Sequence, residues 1–223
     1  MLIDMHTHTF PSSDDSFMSP DDLIEAAKEA GLDGVCLTEH DRFWDPDEVK
    51  ALADKHSFLV LPGCEVNTDA GHVLVFGLDS YLFGMHKPDF LRRHVDGAGG
   101  VMIAAHPYRR RYRRERAHLE AEYASMVEQA CADPLFGLCD AIEGLNGRAT
   151  AGDTAFTADL ARRLNMGMIG SSDGHRTKHI GSAATRFDIE VKNLEDLIRG
   201  IRGGLYQAVC LRDAPTIAHV GGI

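Results

Sequence analysis

The sequence predicts an α/β fold in which a mainly parallel sheet closes, or nearly closes, into a barrel. Three observations carry that expectation. Short apolar runs of strand length alternate with amphipathic, capped helical stretches along the chain, the pattern of strand–helix–strand units. About seven such units fit within the 223 residues, the number expected of a barrel rather than an open sheet. No low-complexity segment, internal repeat or long Pro/Gly/Ser linker divides the chain, so residues 1–223 read as a single domain, long enough to bury a sizeable core without disulfides.

The elements follow in order. Residues 2–6 (LIDMH) read as the first strand. Ser19-Pro20-Asp21-Asp22 opens a helix with a cap, a proline at the first helical position and acids in the first turn, and Gly31 stops it. Residues 34–38 (GVCLT) form the next strand, and Asp45-Pro46-Asp47-Glu48 repeats the cap signature before a helix reaching about Lys55. Residues 58–66 (FLVLPGCEV) return as one strand. Further strands are expected at 72–77, 101–105, 141–144 and 168–172, with helices near 87–97, 113–131, 154–165 and 193–203.

Composition narrows the function. Lys and Arg total 23 against 34 Asp and Glu, a net charge of −11, so the basic footprint of bulk nucleic-acid or anionic-membrane binding is absent. The five cysteines (Cys36, Cys64, Cys131, Cys139, Cys210) are odd in number and lack CxxC spacing, as suits buried thiols in a reducing compartment. No apolar run reaches 18 residues and MLIDMHTHTF has no signal-peptide pattern, so a cytoplasmic chain with no membrane partner is expected. Twelve histidines in an acidic chain stand out, because histidine and carboxylate together are the ligand set of divalent metals.

The placement of those residues is informative. His6 and His8 end the first strand, His40 follows the second, Glu65 closes the third, His106 follows residues 101–105, and Asp173 with His175 follows residues 168–172. Parallel strands bring their C-terminal ends to one face, where active sites are built. His6 and His8, two apart on an extended chain, share a side and can chelate one ion; Asp4, two residues earlier, is placed to orient a ligand imidazole. Glu65 closes an apolar run where an unpaired carboxylate is costly, so a cation or a hydrogen-bond network must answer it. Each has an ordinary alternative: an incidental HxH, a solvated turn at Glu39-His40-Asp41, a satisfied core histidine at His106 or His175. His72, opening a strand, is a sixth contributor.

The motifs Asp4-Met5-His6-Thr7-His8-Thr9, Ser12-Ser13-Asp14, Leu37-Thr38-Glu39-His40-Asp41, Gly63-Cys64-Glu65-Val66, Ala105-His106-Pro107 and Ser171-Ser172-Asp173-Gly174-His175 occur in this order over residues 4–175. In them the chain resembles the polymerase-and-histidinol-phosphatase (PHP) family of metal-dependent phosphoesterases. The resemblance implies a distorted (β/α)7, TIM-like barrel holding two or three divalent ions, Zn, Mn or Fe. It implies that His6, His8, Glu65 and Asp173 hold a first ion, that Glu65 bridges to a second held also by His106 and His72, and that Asp14, His40 and His175 hold a third.

The function expected from that resemblance is hydrolysis of a phosphomonoester of a small metabolite or nucleotide by a metal-bound hydroxide, which Glu65 and Asp173 support. An acidic chain can still accept an anion, because bound cations invert the local field. Arginines at the same mouth supply the rest: Arg109, first of the run Arg109-Arg110-Arg111-Tyr112-Arg113-Arg114; Arg148, in an Asn146-Gly147-Arg148 segment similar to one in related phosphoesterases; and Arg42. Phe43 and Trp44 either line the pocket or pack elsewhere. His56, His86, His94, His118, His179 and His219 carry no expected role. The rivals are a nuclease or a phosphotyrosine phosphatase of the same family, with nucleic acid disfavoured beyond a short nucleotide, an amidohydrolase, for which no bridging lysine is visible, and a metal-stabilised non-catalytic module.

Overall fold

The computed structural model describes residues 1–109, 111–112 and 119–212. Ten strands and seven α-helices are described: β1 (Leu2–Thr7), α1 (Pro20–Glu29), β2 (Gly34–Leu37), α2 (Pro46–His56), β3 (Leu59–Pro62), β4 (Cys64–Thr68), β5 (Gly71–Phe76), α3 (Pro88–Gly97), β6 (Val101–Ala104), α4 (Glu120–Cys131), α5 (Pro134–Leu138), β7 (Ala141–Asn146), α6 (Ala151–Leu164), β8 (Gly167–Ser171), β9 (Ala183–Phe187), α7 (Leu194–Arg202) and β10 (Tyr206–Cys210). The caps read from the sequence form: Ser19 and Asp22 make a reciprocal capping box at α1, and Asp45 caps α2. Of the expected helix at 113–131, residues 113–118 lie outside the described residues.

The fold is mixed α/β, and among the described residues the expected closed seven-stranded barrel is not found. Two five-stranded sheets are present, in the orders β10-β9-β1-β2-β3 and β4-β5-β6-β7-β8. The run 58–66 is not one strand: Gly63 divides it between the sheets, at a point where a Cβ would come within 2.6 Å of the Phe76 ring. β4 and β5 are antiparallel, because only residues 69 and 70 join them and a parallel crossover needs a dozen residues or more; β5 and β6, joined by a longer connection that carries α3, are antiparallel as well. β9 and β10, not anticipated, add antiparallel partners beside β1.

At the C-terminal ends of the parallel strands, single bridges tie the two sheets on both sides, His40 to Glu65 and Thr7 to Gly174. Asp41 N–H donates to the Glu65 carbonyl (3.0 Å) and His8 N–H to the Gly174 carbonyl (3.0 Å). The sheets therefore meet where the candidate ligands lie.

Strand alternation sorts the core. Ile3, Met5, Cys36, Leu74, Phe76, Val101, Ile103 and Ile169 point inward from both sheets, and Leu197 and Ile201 of α7 join them. The alternate positions Val35 and Leu37 receive α1 and α2, Val73, Val75 and Met102 receive α3, and Ala104 and Ile142 receive α4 and α6. Each fully buried Leu, Ile or Phe contributes about 1.5–3 kcal/mol relative to exposure. The five cysteines are free thiols, and among the described residues no helix is long and apolar enough to cross a membrane.

Candidate metal centre

Strand ends deliver the side chains. His6 lies in β1 with His8 one residue past it, His40 follows β2, Glu65 is in β4, His72 in β5, His106 follows β6, and Asp173 and His175 follow β8. His106 (φ 26°) and Asp173 (φ 52°) take left-handed backbone conformations just past their strands, unusual for side-chain-bearing residues and costing of order 1–2 kcal/mol each. The turn aims each side chain back across the strand ends.

Glu65 is the hub. Its Oε2 lies 3.1 Å from His6 Nε2, 3.3 Å from His8 Nε2 and 3.1 Å from His40 Nδ1. Its Oε1 lies 2.6 Å from His72 Nδ1 and 2.8 Å from His106 Nε2. Asp173 Oδ1 stands 3.7 Å from both His6 Nε2 and His8 Nε2. His8, His40 and His175 form a second triad, as do His6, His106 and Asp173, with ligand atoms within 4.8 Å of one another.

Burial alone would raise the Glu65 carboxyl, yet the surrounding imidazoles, His6 foremost, hold it well below the usual carboxylate range. His6 is the reverse case: burial opposes its charge, but Glu65, Asp173 and Glu143 push its pKa well above the ordinary histidine value. Burial lowers His8 to about 4, leaving it neutral and able to donate a lone pair.

The donor set fits divalent ions on an independent observation. His6 Nε2, His8 Nε2, His40 Nδ1, His72 Nε2, Glu65 Oε2 and Asp173 Oδ1 are buried without a hydrogen-bond partner. Six such orphans in one place are costly unless a cation answers them. Metal bonds of about 2.0–2.2 Å set neighbouring ligand atoms roughly 3.0–3.6 Å apart; the spacings of Glu65 Oε2 to His6, His8 and His40 (3.1, 3.3 and 3.1 Å) fall in that range, those of Oε1 to His72 and His106 are shorter and those of Asp173 Oδ1 slightly longer.

The described residues depart from the sequence expectations at several positions. Asp14 is exposed and makes no polar contact with the histidines; Asp15 faces them instead, its Oδ2 at 3.0 Å from His175 Nε2 and 3.4 Å from His40 Nε2. The cause is the turn before it: Ser13 N–H donates to the Thr9 carbonyl, and the buried Ser13 hydroxyl donates to Glu39, which turns Asp14 outward. Asp4 orients no imidazole. Its Oδ1 accepts from the backbone N–H groups of Ser172 (2.9 Å) and His6 (3.3 Å), and burial pushes its pKa up to about 7.

Glu143 occupies the place beside a histidine ring that was expected of Asp4. It is buried and receives His6 Nδ1 at 2.9 Å. The one signal in the sequence was a carboxylate inside the apolar strand AIEG. Glu39 is also buried, but Thr9, Ser13 and Trp44 consume it as a structural anchor.

Among the arginines, Arg109 ion-pairs with Asp173, and Arg148 Nη1 lies 3.3 Å from His175 Nδ1 and 3.7 Å from Asp173 Oδ1. Both, with Asp15 and Asn67, wall an open cavity of about 360 Å³ over the cluster. Arg42 is exposed and does not line it. Phe43 and Trp44 pack against the outer helical layers. Arg111 turns away to Asp133, and Arg110, Arg113 and Arg114 lie outside the described residues.

Comparison with known proteins identifies the fold and the family. The chain is 28% identical over 120 residues to the uncharacterized protein MJ1587 of Methanocaldococcus jannaschii, covering 48% of this chain and 68% of that one. It shares its fold, at a TM-score of 0.65 and 20% identity, with a two-domain protein of Bacteroides vulgatus containing a predicted PHP-like metal-dependent phosphoesterase, over 95% of this chain and 65% of that longer one. PsfC of Pseudomonas syringae matches at a TM-score of 0.62 and 17% identity, over 94% of this chain and 91% of that one. The PHP domain model matches residues 4–199, a span that contains every residue of the strand-end constellation, and the chain belongs to the PHP domain family.

Proposed function

We propose that this protein is a metal-dependent phosphoesterase that hydrolyses a phosphomonoester of a small metabolite or nucleotide. The carrying observation is the juxtaposition of six orphaned ligand atoms with two guanidinium groups at the cavity wall. His6, His8, Glu65 and Asp173 would hold one divalent ion, Glu65, His72 and His106 a second, and Asp15, His40 and His175 a third. Bound there, zinc, manganese or iron supplies Lewis acidity toward the phosphoryl oxygens and a water activated near neutral pH.

The chain's own residues do the rest. Arg109 and Arg148 approach Asp173 from the cavity side, so a phosphate in the cavity meets two forked donors. Asn146 sets both: its Oδ1 accepts from the Arg148 backbone N–H (2.8 Å) and lies 3.5 Å from Arg109 Nη2, while its Nδ2 donates to Asp173 Oδ2 (3.2 Å). Glu65 and Asp173, both buried, hold their negative charge for the ions rather than for solvent. The cavity is compact and the chain's charge is −11, which favours a small phosphorylated substrate over a nucleic-acid strand.

The test is phosphate release from a panel of phosphorylated metabolites by protein stripped with chelator and refilled with Mn, Fe or Zn. Release that returns only with metal is expected. Equal hydrolysis by the stripped protein would end the metal-dependent reading, and no release from any member with metal bound would favour a non-catalytic module.

A further inference from the structure

Glu143 lies on β7, behind the cluster and away from the cavity, and its carboxylate is fully buried. Its hydrogen bonds account for the whole group. Oε1 faces His6 Nδ1 at 2.9 Å and accepts from the Ser171 hydroxyl; Oε2 accepts from the His106 backbone N–H at 2.7 Å and from Asn146 Nδ2 at 3.1 Å. A carboxylate offers about four lone-pair sites and no proton. Four neighbours fill them, two of which, a backbone N–H and an amide NH2, can only donate. His6 is thereby required to present Nδ1–H to Glu143, so the nitrogen it can offer a cation is Nε2, which faces Glu65 and Asp173.

From this we infer that Glu143 is a positioning residue for the metal centre. It locks His6 in the tautomer whose Nε2 can bind an ion, and it clamps the left-handed backbone of His106, so that two ligands on different strands are set by one carboxylate. The inference rests on the metal-binding reading above, and it concerns a residue that would touch neither ion nor substrate. Replacing the carboxylate by an amide makes the consequence specific. In Glu143→Gln the carbamoyl oxygen must serve the obligate donors of His106 and Asn146, so the NH2 is turned toward His6 and Ser171. Ser171 can rotate to accept. His6 can accept only by surrendering its Nδ1 proton, which moves hydrogen to Nε2 and points N–H at the metal position.

The experiment is zinc titration of wild type, Glu143→Gln and Ser171→Ala, together with nitrogen-15 NMR of the zinc-loaded wild type, zinc being diamagnetic. In the wild type His6 should show a protonated Nδ1 and a coordinated Nε2. Zinc affinity should fall about 10–100-fold in Glu143→Gln, the usual effect of removing an outer partner of a ligand histidine. Ser171→Ala removes a hydrogen bond from the same carboxylate without forcing the tautomer, and should stay within about twofold of wild type. Coordination of His6 through Nδ1, or equal loss of affinity in both variants, overturns the inference. Unchanged affinity in Glu143→Gln overturns it as well, with the metal reading intact. Failure of the wild type to bind zinc, manganese or iron would instead overturn the metal reading and the inference with it. The NMR measurement needs no variant, so a Glu143→Gln chain that fails to fold leaves the inference still decidable.

Discussion

Asp14 and Asp15 are chemically identical neighbours, both exposed, but only Asp15 contacts the histidine rings. The Asp15 carboxyl is lowered from its ordinary pKa: partial burial pushes it up, but the His175 and His40 rings outweigh that and favour the anion. Asp14 faces solvent. Asp15→Asn is therefore expected to reduce kcat/KM on a chromogenic phosphomonoester by at least the roughly 10–100-fold typical of losing an outer partner of a metal ligand, while Asp14→Asn stays close to wild type. Equal effects would remove Asp15 from the centre. The pair shows where residue-level reading stops. His6, His8, His40, Glu65, His106 and Asp173 were legible because each ends or follows an apolar strand, and strand ends converge. The choice between Asp14 and Asp15 depends on a turn fixed by Ser13 and Glu39, a contact 26 residues away in sequence that no local pattern announces. Glu143 was missed for a related reason. A carboxylate inside a strand reads as an oddity until the partners from β1, β6 and β8 surround it.

At the scale of elements, strand and helix positions were largely readable from apolar periodicity and caps, whereas pairing was not. Register shifts explain part of the difficulty. β7 shifts register against β8 between Glu143 and Leu145, so Glu143 and Asn146, three apart and expected on opposite faces, both reach the cluster. β1 shifts likewise between Asp4 and Thr7, which breaks the alternation that aligned Asp4 with His6 and His8. The antiparallel partners β9 and β10 were hidden because their neighbours are remote in sequence. Their close approach to β8 depends on Gly170, where a Cβ would sit 2.4 Å from the Ala184 carbonyl oxygen and 3.2 Å from Val209 N. Those atoms are backbone and cannot rotate aside, so Gly170→Ala must part β8 from β9 and β10. A loss of about 1–3 kcal/mol, typical of overpacking, is expected in urea unfolding of the chelated protein. An unchanged midpoint would show that β9 and β10 yield freely. The site should suffer too, since Ser171 and Asp173 follow directly.

Across the whole molecule, the centre concentrates charge that the fold alone does not balance. Glu65, Glu143 and Asp173 are buried together in a chain of net charge −11, with the unpaired nitrogens of His6, His8, His40 and His72 turned toward the same space. Divalent ions would neutralise the carboxylates, give the orphaned nitrogens partners and tie strands of both sheets through Glu65. Ligand binding to the folded state alone stabilises it by mass action, about 4 kcal/mol at a thousand times the dissociation constant. For a chain of this length that corresponds to roughly 8–16 °C in Tm. Thermal unfolding followed by circular dichroism should therefore fall by about that much on chelation and recover when zinc or manganese is restored. The recovery should be larger in Asp15→Asn, which weakens only the third position, than in His6→Ala, which removes a ligand that would share an ion with Glu65 and Asp173. A Tm that ignores chelator in the wild type would mean that hydrogen bonds within the histidine and carboxylate cluster suffice to hold the two sheets together, and that the cluster serves the fold rather than an ion.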